Sequence, residues 1–217
     1  MPMITDAGNQ ASLRNALCEA YRDFERLGLS SGSAGNVSVR WSGGMLISPA
    51  GARAASAAPE AFVAMSLDGD ALSTGKPSSE WAMHAEIYRG TLNAQAVVHA
   101  HPDACVALSC QRRAIPAFHY MIAAFGGSDV PCSSYAPFGS TELARAAVSA
   151  LEGRNACLLA NHGMICHAKS LSEAIANALK LEVLARQYIL SLQIGPPVLL
   201  SDEEMAVVRE RYRAYGR

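Results

Sequence analysis

Through residues 11–30 (ASLRNALCEAYRDFERLGLS), the apolar positions Leu13, Ala16, Leu17, Ala20, Tyr21, Phe24 and Leu27 recur in steps of three and four. That is the spacing of one helix face, and Gly28 stands where a C-terminal stop belongs. The period then changes. Within residues 30–52, two β-rich runs at 37–41 and 45–47 flank glycine and serine, which predicts strand, tight turn at Gly43 and Gly44, and strand. Residues 62–66 add a strand before a turn at Asp68 and Gly69. Ser78 or Ser79 marks the start of a helix through SSEWAMHAEIYR, with Glu80 in its first turn, where the helix dipole favours negative charge. The run AVVHA at 96–100 has the character of a buried strand. Ser140, Thr141 and Glu142 open a helix to Leu151, and strands follow at 157–160 and 164–167. Ser170 with Glu173, and Ser201 with Glu204, form capping-box patterns for a long helix to about Leu192 and for a last helix. No repeat or low-complexity tract interrupts this order, and the mixture predicts one α/β domain, 1–217, with substantial antiparallel sheet.

Composition narrows the function. The 217 residues carry 18 Lys+Arg against 19 Asp+Glu, a net charge of −1. That balance provides no basic footprint for nucleic acid or an anionic membrane surface. No stretch approaches a membrane-spanning length, and residues 1–10 lack the charged and apolar regions of a signal peptide, so a soluble, cytoplasmic protein is expected. Half of the residues are hydrophobic and 17% are charged, which favours an oligomer that covers apolar surface. The cysteines, Cys18, Cys105, Cys110, Cys132, Cys157 and Cys166, contain no CxxC pair, so reduced and mostly buried thiols are expected.

The candidate chemistry begins with His99 and His101 in VVHAHP. Residues two apart on a strand share a face, so both imidazoles can converge on a divalent metal, zinc being favoured by nitrogen ligands. Two structural histidines at a strand end would read the same locally. A catalytic zinc needs a third ligand. His162, before Gly163 at a strand end or tight turn, is the leading candidate; His167, His84 and His119 compete, and spacing does not decide. Glu80 reads either as a dipole-matched surface charge or as an acid/base or displaceable metal ligand. Ser78 and Ser79 either cap the helix or bind an anion at its N-terminus. Gly35 and Asn36 form either a turn or a phosphate cradle. No Walker motif and no GxGxxG between strand and helix is present, so nucleotide cofactors are unsupported.

Taken in order, GLSSGSAGNVSVR, MLISPAGA, GKPSSEW, AVVHAHP, IPAFHYMIAAFGG, LLANHG and the ending SDEEMAVV with AYG resemble the class II aldolase/adducin family over nearly the whole chain. The resemblance implies a three-layer α/β/α domain around a mainly antiparallel central sheet, assembled as a homotetramer with active sites between subunits. It implies one zinc per subunit, or another divalent metal, bound by His99, His101 and His162. By the same resemblance Glu80 moves the proton at the reacting carbon, and Tyr120 serves the aldol hydroxyl from a neighbouring subunit. Gly35, Asn36, Gly51, Ser78 and Ser79 hold the substrate phosphate, and Tyr215 closes over the site. One departure is Ala50, where the aldolase members most resembled carry threonine; the missing hydroxyl contact costs roughly 1.5–3 kcal/mol of phosphate binding.

The implied reaction is reversible cleavage of a ketose 1-phosphate, such as L-fuculose 1-phosphate, to dihydroxyacetone phosphate and a short aldehyde such as lactaldehyde. A sugar-phosphate 4-epimerase, a 3-oxo-tetronate 4-phosphate decarboxylase and a dehydratase are alternatives on the same scaffold. A non-catalytic adducin-like interaction module would be expected to lose the histidines, which this chain retains. A Schiff-base aldolase would need a lysine in an apolar pocket, whereas Lys76, Lys169 and Lys180 lie in turn-like or solvent-facing contexts.

Overall fold

The structure, a computed structural model, describes residues 6–214, with side chains from residue 10 to residue 212. Tyr215 lies outside the described residues. Helix α1 spans Asp6–Arg26 and is followed by Gly28 in the left-handed region, φ 68°. Strands β1 (Asn36–Trp41) and β2 (Gly44–Ile47) form a hairpin with Trp41 opposite Gly44, closed by Ser42 and Gly43. Then come β3 (Val63–Met65), α2 (Trp81–Gly90), β4 (Ala96–Ala100), α3 (Asp103–Cys110), α4 (Thr141–Ala150), β5 (Ala156–Leu159) and β6 (Gly163–Ala168). The chain continues through α5 (Leu171–Ile194) and α6 (Asp202–Ala214).

The six strands make one sheet in the order β3-β2-β1-β4-β6-β5, and every neighbouring pair is antiparallel. Alternation along each strand separates two cores. Val37, Val39, Leu46, Val98, Leu158 and Met164 face one cluster, with side chains from α1, α3 and α5. Met45, Ile47, Val63, Val97, Cys157 and Ile165 face the other, with side chains from α2 and α4. Helices on both sides of the sheet make the expected three layers. They also explain why AVVHA is apolar without alternation, since neither face meets water. Asn36 pairs with His99 across the β1–β4 ladder, which sets two polar side chains together on the α2 side.

The helix starts follow local chemistry. Ser170 Oγ accepts from Glu173 N at 3.2 Å, and Ser201 and Glu204 bond reciprocally at 2.7 and 3.2 Å. Helix α3, which the hydrophobic pattern does not predict, begins after Pro102 and is held by a distant residue. The buried Glu182 carboxylate on α5 accepts from Ala104 N and Cys105 N, both at 3.0 Å. All six cysteines are free thiols; Cys18, Cys105, Cys157 and Cys166 are buried, while Cys110 is exposed. Among the described residues no helix is long and apolar enough to cross a membrane.

Candidate active site

His99 is fully buried on β4, and its Nδ1 lies 2.8 Å from the Met164 carbonyl oxygen. A carbonyl only accepts, so Nδ1 carries the proton and Nε2 presents a lone pair. His101 lies just past the strand end, where its backbone N–H donates to Leu29 O at 3.1 Å. His162 comes from the turn between β5 and β6, preceded by Asn161 at φ 53°, a left-handed conformation that asparagine tolerates. The three ring centroids are 4.7, 4.8 and 4.8 Å apart, and Nε2 of His99 is 2.8 Å from Nε2 of His101. Gly163 makes this approach possible. A Cβ there would sit 2.5 Å from Ala100 O and 2.9 Å from the His101 ring.

The other histidines have different work. His84, on α2, is buried against Asn36 and Ser38 of β1, His119 accepts from Met121 N at 3.2 Å, and His167 Nε2 contacts Arg154 O at 3.3 Å. The convergence therefore falls on His99, His101 and His162.

Glu80 departs from its expected place. It is the N-cap residue of α2 rather than a first-turn residue, makes no capping bond, and is 7% exposed. Its Oε2 accepts from Asn36 Nδ2 at 2.9 Å and lies 3.1 Å from His99 Nε2; Oε1 is 3.4 Å from His162 Nε2. Burial works to raise its pKa, but the facing His99 and His162 rings and the hydrogen bond from Asn36 outweigh it and hold the carboxyl well below the usual carboxylate range. Burial, with neighbouring imidazoles adding to it, pushes His101 down to about 3 and His162 down to about 4. Both rings are therefore neutral, the state in which imidazole binds metal.

Beside these groups lies a cleft of 340 Å³, bordered by Gly35, Asn36, Gly51, Ser78, Ser79, Glu80, His101 and His162. Gly35, at φ 80°, packs so closely that a Cβ would lie 2.8 Å from His99 O. Ser78 is buried, and its Oγ accepts from Glu80 N at 3.3 Å. Tyr135, Ala136, Phe138 and Asn161 also border the cleft and were missed from sequence; aromatic residues in a Pro-, Ser- and Gly-containing loop were the available signal for Tyr135 and Phe138. Tyr120 does not border this cleft. It is half-exposed on a 3-10 segment, Tyr120–Phe125, and faces a second cavity of 690 Å³ with Lys180, Arg211 and Tyr212.

The model of the class II aldolase and adducin N-terminal domain matches residues 15–189. The chain belongs to the class II aldolase and adducin family. It is 45% identical over 209 residues to a 5-methylthioribulose-1-phosphate/5-deoxyribulose-1-phosphate aldolase of Rhodospirillum rubrum, covering 96% of this chain and 95% of the relative. It is 43% identical over 205 residues to L-fuculose phosphate aldolase of Escherichia coli, covering 94% and 95%. A solved L-fuculose 1-phosphate aldolase superposes with a TM-score of 0.90 at 36% identity, covering 93% of this chain and 96% of that one.

In this class II aldolase family chain, the site suits a divalent metal on its own chemistry. The ligand nitrogens of His99, His101 and His162 lie within 4.8 Å of one another. Glu80 Oε1 is buried without a hydrogen-bond partner, an orphaned acceptor next to neutral donors of lone pairs.

Proposed function

We propose that this enzyme, folded as one domain, is a zinc-dependent aldolase that reversibly cleaves a ketose 1-phosphate to dihydroxyacetone phosphate and a short aldehyde. The observation that carries the reading is Glu80: a buried carboxylate with one unpartnered oxygen, set against two of three converging imidazoles at the wall of a cleft. His99, His101 and His162 would hold the zinc, whose Lewis acidity, when bound, stabilises negative charge developing on the substrate oxygens.

The chain's own residues supply the rest. Gly35, Asn36, Gly51, Ser78 and Ser79 offer amides and hydroxyls for the phosphate, and no lysine or arginine is among the described cleft residues. In the condensation direction Glu80, held ionised, removes a proton from C3 of dihydroxyacetone phosphate. As the C3–C4 bond forms, the phenol of Tyr120, contributed by a neighbouring subunit of a homotetramer, gives its proton to the aldehyde oxygen, and water returns the proton from the Glu80 carboxyl to the phenolate before the next turnover. Cleavage is the reverse: the phenolate takes the C4 hydroxyl proton, the C3–C4 electron pair passes to C3, and the protonated Glu80 carboxyl delivers a proton there, so substrate and enzyme both balance. Tyr135 and Phe138 give the cleft an apolar rim, suited to the deoxygenated tail of a 5-deoxy- or 6-deoxyketose. Such tails fit the names of both relatives.

A substrate panel tests this. Ketose 1-phosphates are expected to release dihydroxyacetone phosphate, read with a coupled dehydrogenase. Carbon dioxide from a 3-oxo-tetronate 4-phosphate, or epimer formation from a pentulose 5-phosphate, without that product would overturn the assignment.

A further inference from the structure

Glu80, His84 and Tyr88 follow one another at four-residue steps, so they share one stripe at and beyond the start of α2. Asn36 and Ser38, two apart on β1, face that stripe. The two rows interdigitate into one hydrogen-bonded line. Tyr88 OH is 2.8 Å from Ser38 Oγ, Ser38 Oγ is 2.7 Å from His84 Nδ1, and His84 Nε2 is 2.5 Å from Asn36 Oδ1. Asn36 Nδ2 then donates to Glu80 Oε2 at 2.9 Å. Ser38, His84 and Tyr88 are fully buried, and Asn36 is 5% exposed, so no water competes for these bonds.

The direction of every bond follows from the carboxylate end. An ionised Glu80 only accepts, so Asn36 must present its NH2 there and its carbonyl to His84. His84 must then donate from Nε2, which leaves Nδ1 to accept from the Ser38 hydroxyl, and Ser38 accepts from Tyr88. Burial lowers the His84 pKa to about 3, consistent with a neutral ring. A flipped Asn36 amide would face oxygen to carboxylate and NH2 to N–H. The carboxylate opposes the first and the Nε2–H tautomer of His84 opposes the second.

We propose that His84 is a positioning residue, which fixes the Asn36 amide and through it aims the Glu80 carboxylate for proton transfer. This rests on the acid/base reading of Glu80. The test uses the full-length, metal-loaded enzyme. In its 15N-histidine spectrum His84 is expected as the neutral Nε2–H tautomer at pH 6; an Nδ1–H tautomer or an imidazolium would contradict the line of bonds. His84→Gln keeps a donor near the Nε2 position, whereas His84→Asn does not reach Asn36. We expect kcat to fall ~10-fold or more in His84→Asn, with KM and metal per chain little changed, and to be largely restored in His84→Gln. In a Glu80→Gln background the His84→Asn change is expected to cost nothing further. An equal cost in both backgrounds would mark His84 as merely structural. Full turnover in Glu80→Gln alone would instead remove the acid/base reading itself.

Discussion

Gly163 has no room for a side chain: a methyl there meets Ala100 O at 2.5 Å and the His101 ring at 2.9 Å. We predict that Gly163→Ala displaces His101 and lowers bound metal per chain, measured by elemental analysis, more than it lowers helix content. His84 makes a second prediction at this scale. Its folded pKa, depressed to about 3, lies below the 6.5 of an unfolded histidine, so the unfolded chain binds the extra proton. The stability this group contributes is complete above pH 6.5 and is lost as pH falls toward 3, at up to ~1.4 kcal/mol per pH unit. Denaturant midpoints between pH 4 and 8 should show that slope in the wild type and a shallower one in His84→Gln; parallel slopes would contradict the assignment. Ser38, Asn36 and Tyr88 surround the ring, and Glu80 and His99 are the nearest charged or titratable groups beyond them. The paired histidines of VVHAHP were legible as chemistry. Their choice of His162 over His167 was not legible from spacing, because it depends on which strand end folds against β4.

At the scale of elements, strands and capped helices were readable because their signals are local. The AVVHA run, the glycine-marked hairpin turn, which closes at Ser42–Gly43 one residue before the expected Gly43–Gly44, and the Ser170 cap each act within a few residues. Replacing Ser170 with alanine should cost about 1 kcal/mol, seen as a lower melting temperature with unchanged activity. Helix α3 was hidden for the opposite reason. It is eight residues long, and its first amides are satisfied by Glu182, 78 and 77 positions away. Glu182→Ala leaves two buried N–H groups, those of Ala104 and Cys105 in the first turn of α3, without that acceptor and should destabilise the fold by at least ~2 kcal/mol in thermal or denaturant melts. For Glu80 the same local logic left two readings open and set it one residue too far into the helix. A carboxylate near a helix start reads as a dipole partner, yet β1 and β4 draw it inward to Asn36 and His99.

At the scale of the whole molecule, the near-neutral charge is consistent with a cleft that offers amides and hydroxyls rather than lysine and arginine. Leu92, Ile194 and Val198 are among the exposed apolar side chains, and Tyr120 borders a second cavity rather than the cleft of its own chain. If Tyr120 serves a neighbour's site, co-expressed Tyr120→Phe and Glu80→Gln chains should recover activity that neither homo-oligomer has, because some mixed interfaces carry both intact residues. No recovery in isolated mixed oligomers would place Tyr120 outside catalysis in trans. The resemblance carried the family and pointed to the three histidines that converge in the fold, while the apolar rim came from a loop whose packing no periodicity encodes. Metal-dependent aldol cleavage is read from dihydroxyacetone phosphate released from L-fuculose 1-phosphate and 5-methylthioribulose 1-phosphate. We predict release from at least one of them, abolished by chelation and restored by zinc; no release from either by zinc-loaded protein, or release unaffected by metal removal, would contradict it.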